Sequence, residues 1–179
     1  MTHILLKLAR KSIEGSFDGT IPEAETEIKE KFSKVTPCFV CLTKNGKIRG
    51  ISGNLKANKE IFREVIEHSI KSAFHDKNFS PLKKEELSAI KIELFILNSL
   101  EQAEFDSIDE LLNKINQGLS GVAIEKGYHS ANFLPKVWEE ISDKDEFLSV
   151  LCEKAGLPDN EWKKSGMKFW IYTTKSLRE

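Results

Sequence analysis

The sequence predicts an α+β fold, a largely antiparallel sheet with packed helices. Two observations carry that reading. Helix-period and strand-period segments are mixed with no regular βαβ alternation, which argues against a parallel sheet. Asn45-Gly46 also lies between two strand-like runs, and this dipeptide suits a two-residue type I′ hairpin turn. The 179 residues fit one domain, or a domain with a small appended lobe. At that size one core buries roughly 70% of the unfolded surface, so no disulfide staple is needed.

The elements follow in chain order. Thr2 to Ile13 reads as a helix, with Ile4, Leu5, Leu8 and Ile13 on one face and Thr2 as its cap. Residues 15 to 36 are polar, with room for one helical turn at Ile28 and Phe32. The hairpin "PCFVCLTKNGKIRGIS" comes next. A helix after Asn58 shows an apolar stripe of Ile61, Phe62, Val65, Ile66, Ile70, Ala73 and Phe74. Residues 89 to 97 alternate as a strand, with Ile90, Ile92, Leu94 and Ile96 on one face. Glu93 then falls on the other face, exposed or paired with a lysine. Ser107 to Glu110 reads as a capping box. "GVAIEKGYHSANFLP" gives two short strands around Gly127. Ser142 caps a helix through Phe147 to Ala155, and Gly156 and Pro158 end it. "MKFWIYTT" is the last strand.

Composition excludes several functions. The chain has 27 basic and 28 acidic residues and a net charge of −1, so nothing recommends a nucleic acid or an anionic membrane as partner. No apolar run approaches the ~20 residues of a membrane span. The N-terminus lacks a signal-peptide cleavage pattern, so the expected location is the cytoplasm. Three cysteines are an odd number, which suits reduced thiols better than a disulfide framework. Cys38 and Cys41 match C-x-x-C but sit in a strand, where positions three apart face opposite sides. A structural zinc site would need a second ligand pair, and only Cys152 remains. No metal or cofactor is expected.

The unusual stretch is "TKNGKIRGISGNL", residues 43 to 55. Its glycines match neither the Walker A loop nor the dinucleotide fingerprint. An uninterrupted hairpin would place Leu42 opposite Arg49, Val40 opposite Ile51 and Cys41 opposite Gly50. Arg49 and Ile51 would then share one face, while Ile48 and Ser52 share the other with Phe39 and Cys41. Arg49 is either a salt-bridge partner or an anion anchor, since its guanidinium matches a carboxylate or phosphate. Arg49, Gly50, Ser52 and Gly53 are therefore candidates for binding a small anion. His75 and Asp76, at a helix end, are candidates for acid/base work, or an imidazolium near the helix terminus and an aspartate bonding local amides. His68 and His75 lie about 10 Å apart along their helix, so one metal cannot bind both.

"KIRGISG" resembles the L-R-G-C-I-G signature of the AMME chromosomal region gene 1 family, also called AmmeMemoRadiSam system protein A. "CFVCL", "SAFHDKNFSPL", "IKIELFIL", "GLSGVAIEKGYHSANFLPKVWEE" and "FLSVLCEKAGLPDNEW" are similar to further family segments, in order. The resemblance implies one domain over residues 1–179, with a larger and a smaller lobe and a cleft between them. It implies no particular reaction. It does imply an association with Memo-like and radical-SAM proteins. Two functions follow as expectations: an enzyme or enzyme component acting on a small anionic substrate, or a non-catalytic scaffold docking a protein partner. The departures bear on the first. The family's signature cysteine falls on Ile51, which cannot be a nucleophile, and Ser52 has no base assigned. Asn78 replaces the family's arginine before Phe79, and Lys136 stands where glutamine is common.

Overall fold

A computed structural model describes residues 3–179. The fold is α+β. The described helices are α1 (His3–Phe17), α2 (Thr26–Lys31), α3 (Ile61–Phe74), α4 (Ile108–Lys114) and α5 (Lys144–Lys154). The strands are β1 (Cys38–Lys44), β2 (Lys47–Gly53), β3 (Ile90–Ala103), β4 (Gly121–Lys126), β5 (His129–Phe133) and β6 (Lys168–Arg178). None of the described helices is long and apolar enough to cross a membrane.

The chain divides into two compact units. The first runs up to Leu97 and includes Lys175–Glu179. Its strand order is β2-β1-β3-β6, with β1 antiparallel to both β2 and β3. The helical face of this sheet is apolar: Val40 and Leu42 of β1 and Ile92 and Leu94 of β3 are buried with Leu8, Ala9 and Ile13 of α1 and Val65 of α3. The second unit is Asn98–Thr174, with strand order β3-β6-β4-β5. Its core includes an aromatic cluster. Trp138 stacks on Phe147 at 3.8 Å, and Phe133 meets Phe147 edge-on. The indole N–H of Trp138 donates to the Ser120 carbonyl at 2.7 Å, so the buried ring leaves no orphan donor.

Several expectations need adjusting. The Thr2 cap lies outside the described residues. Helix α1 continues past Ile13 to Phe17, a full turn longer than its apolar periodicity indicates. Strand β3 continues past Leu97 to Ala103. The cap of α5 is Asp143, not Ser142: the Asp143 carboxylate accepts from the Glu146 amide at 2.9 Å. Ser107 does cap α4, but Glu110 reaches back to the Asp106 amide, one residue beyond the expected capping box. Glu93 is buried, 5% exposed, and pairs with Arg178. An acid on a strand with a covered second face needs a cation, and the returning β6 supplies it.

Candidate functional site

The site is built from β2, α3 and the segment after α3. Asn45 and Gly46 both have positive φ, 53° and 76°, as a type I′ turn requires. The hairpin beyond that turn is not uninterrupted. A bulge falls at Arg49, so Thr43 pairs with Ile48 but Leu42 pairs with Gly50. Every later partner moves by one: Cys41 faces Ile51 and Val40 faces Ser52. The expected register is therefore corrected, and Ser52 changes sides. It shares the face of Val40 and Leu42, against α3, because a bulge re-aims the side chains that follow it.

That face of the hairpin is tightly closed on α3. A Cβ on Gly50 would lie 2.1 Å from the Ser72 carbonyl oxygen. On the opposite face of the hairpin, a Cβ on Gly53 would lie 2.2 Å from the ring of its pair partner Phe39. These signature glycines exist for close approach, with no unusual backbone conformation.

One strip of the buried side of α3 is polar, beside the apolar Ile61, Val65 and Ala73. Glu64, His68 and Ser72 recur at four-residue spacing and are each 1% exposed. Ser52 Oγ lies 2.9 Å from His68 Nδ1. His68 Nε2 lies 3.1 Å from Glu64 Oε2, which also accepts from Asn54 at 3.3 Å. Facing a carboxylate, Nε2 carries the imidazole proton, and Nδ1 accepts from the Ser52 hydroxyl. Burial pushes the His68 pKa down, and the neighbouring Glu64 offsets part of that. The imidazole is thus neutral at pH 7. Cys38, beside Glu64, has its thiol pushed up to about 12, first by burial and then by that carboxylate. It is a packing residue at neutral pH.

Arg49 is engaged. Its Nε and one terminal nitrogen donate to the two oxygens of Glu86 at 3.0 and 2.9 Å, and the other terminal nitrogen donates to the Ser80 carbonyl. Lys44 also reaches Glu86, at 2.9 Å. Arg49 and then Lys44 hold the Glu86 carboxyl well below the usual carboxylate range. Asp76 is engaged as well: one oxygen accepts from the Ile51 amide at 2.7 Å, the other from the Asn78 amide at 2.8 Å. The signature arginine and this aspartate therefore clamp the edge strand β2 to the segment that follows α3. His75 stands apart from them, exposed at the end of α3.

The outer face of α3 lines a groove of about 780 Å³ within the first unit. Phe62, Ile66 and Ile70 form its floor, with Ile21, Pro22 and Ala24 opposite. Its rim carries Lys29, Lys59, Arg63 and Lys71 against Glu23, Glu60 and Glu67, with His75 at one end. Each acid already has a cation: Glu23 has Lys29, Glu60 has Arg63, and Glu67 has both Lys59 and Lys71. The two lysines hold Glu67 down to about 2.

Sequence reasoning missed two features here. The Glu64–His68 pair went unread because its four-residue spacing is interleaved with the apolar stripe. The groove was missed because Ile66 and Ile70 look like core residues, whereas both are only half-buried. The signal that could have found the pair was an acid and a histidine four apart on one helix, facing a strand serine.

Comparison with known proteins fits the whole architecture. The AMMECR1 family model matches residues 6–177. A Nanoarchaeum equitans protein is 33% identical over 177 residues, covering 98% of both chains. An Aquifex aeolicus protein is 30% identical, over 98% of this chain and 91% of its own. The crystal structure of an uncharacterized protein from Pyrococcus horikoshii superposes with a TM-score of 0.92 at 30% identity, covering 98% of this chain and 90% of that one. The chain belongs to the AMMECR1 family.

Proposed function

We propose that this protein binds a small amphipathic anion, an apolar body carrying a carboxylate or similar head, in the groove on the outer face of α3. It would act as a component of a metabolic or modification pathway involving Memo-like and radical-SAM proteins, as the family resemblance implies. The observation that carries the binding reading is the groove itself: an apolar floor ringed by four cations whose acid partners are solvent-exposed or half-exposed. Its volume falls in the range of small-molecule sites. Exposed ion pairs are worth only about 0–1 kcal/mol, so a cation can turn from its glutamate to a ligand at small cost. Arg49 is less available for this role, because Glu86 and Ser80 already engage all three of its nitrogens.

A second reading has one observation in its favour. Ile21, at the groove's wall, is 70% exposed. An exposed apolar lip suits a protein partner that inserts a side chain over the floor.

A thermal-shift series separates the two. Acetate, hexanoate, octanoate and phenylacetate would be compared on the wild type and on Ile70→Glu. A ligand that binds only the folded state raises the melting temperature. Hexanoate, octanoate and phenylacetate should stabilise the wild type, acetate should not, and Ile70→Glu should erase the effect. A flat response across the series would remove the small-anion reading and leave the docking one.

A further inference from the structure

Ser52, His68 and Glu64 have a chemistry that anion binding does not use. We propose that they form a nucleophilic site for cleaving a small acyl ester, with Ser52 as nucleophile, His68 as general base and Glu64 as the residue that positions the imidazole. The geometry carries this. A nucleophile lies within hydrogen-bond reach of a base, at 2.9 Å, and the base is held in turn by a third group, at 3.1 Å. The bulge at Arg49 turns Ser52 to this side, and the clamp by Asp76 on the Ile51 amide fixes the strand next to it. Ser52 as a residue is half-buried on the edge strand β2 and its hydroxyl faces the buried His68, so the substrate class proposed is a small acyl group.

The steps balance. Ser52 Oγ attacks the acyl carbon as its proton passes to His68 Nδ1. The ester C–O bond breaks, and the leaving alcohol takes that proton. Water then attacks the acyl-serine. His68 accepts the water's proton and returns it to Ser52 Oγ as the acid departs. Glu64, accepting from Nε2–H, keeps Nδ1 directed at the serine and stabilises the imidazolium.

Charged and titratable groups around His68 come from two elements and a neighbour. On α3 they are Glu64, Glu67 and Lys71. From β2 it meets the Ser52 hydroxyl, and Cys38 of β1 contributes a neutral thiol near Glu64. The rate should therefore rise with pH as the imidazole loses its proton and level off by neutral pH. Its midpoint should lie below the ordinary histidine value, about 6.5.

The test uses p-nitrophenyl acetate with the full chain, following p-nitrophenolate release and mapping acetylated peptides. Acetyl should appear on the peptide carrying Ser52. Ser52→Ala should abolish it, and His68→Gln should slow it on the order of 10²–10⁴-fold. In Glu64→Gln the midpoint should move to lower pH, since the carboxylate no longer favours the imidazolium; a merely structural glutamate would leave the profile in place. Circular dichroism checks each variant, and if His68→Gln does not fold, the Glu64→Gln profile and the Ser52 mapping decide. Acetylation confined to lysines, or acetylation of Ser52 undiminished in folded His68→Gln, would overturn the assignment.

Discussion

Two strips of α3 depart in opposite senses from the usual amphipathic pattern, although Ile61, Val65 and Ala73 are buried in the ordinary way. The inward face presents Glu64, His68 and Ser72 to β2, each 1% exposed and each hydrogen-bonded. The outward face presents Ile66 and Ile70, half-buried on the groove floor under a charged rim. A helix chosen only for stability would carry no acid on its buried side, because burying a carboxylate costs more than it returns unless it is fully partnered. Local departures of this kind concentrate where a protein does something besides fold. The buried strip fits the proposed proton path, and the outer strip fits the proposed ligand groove.

The largest expected effect is at the contact between the inner face and β2. Gly50→Val would drive a branched side chain into the Ser72 carbonyl, which as helix backbone cannot step aside. It should lower stability by about 3 kcal/mol in a urea melt. Gly46→Asn, at φ 76° with open space around it, should be near neutral. Equal midpoints for the two variants would break the close-contact account of β2.

Next in size is removal of the buried acid. Glu64→Ala leaves the His68 Nε2–H and the Asn54 amide without their acceptor. A loss of about 2 kcal/mol is expected, as for an unsatisfied buried donor. A loss below about 0.5 kcal/mol would mean water enters the inner face, and the contrast between the faces would weaken.

A smaller effect sharpens the pH behaviour of the clamp. The folded Glu86 carboxyl is held below its unfolded value of about 4.3, so its contribution is fully present above that pH. It is lost as pH falls through the folded pKa. Arg49→Ala should cost about 1–2 kcal/mol at pH 7 and flatten stability loss below pH 4. An unchanged acid limb in the variant would show that Arg49 does not set the Glu86 ionisation.

The sequence made much of this frame legible, and the reasons are local. Asn45-Gly46 has a narrow conformational meaning, so the turn could be placed to the residue. The alternation of Ile90, Ile92 and Leu94 marked β3, and Phe147, Leu148 and Leu151 marked α5. The bulge at Arg49 was not legible, because no glycine at that position announces it; there Arg49 pairs with Glu86, thirty-seven residues away. Without the bulge, Ser52 points the wrong way and has no base. The partner of Glu93 was hidden for the same reason, since Arg178 is eighty-five residues distant. That Asp76 bonds local amides was one of two readings open from the sequence, and the bond from the Asn78 amide fits it; the bond from the Ile51 amide, twenty-five residues away, was not read.

The smallest stability effect and the largest functional one should coincide on the outer face. Ile70→Glu should change stability by less than about 1 kcal/mol, because Ile70 is only half-buried. The measurement that tests the central claim most directly is an amide chemical-shift titration of the wild-type protein with octanoate. Saturable shifts should concentrate on Phe62, Ile66, Ile70 and Lys71 and on the 21–24 segment, and the same titration of Ile70→Glu should be silent. Shifts gathered around Arg49 and Glu86, or none at all, would contradict the assignment of the groove as the ligand site.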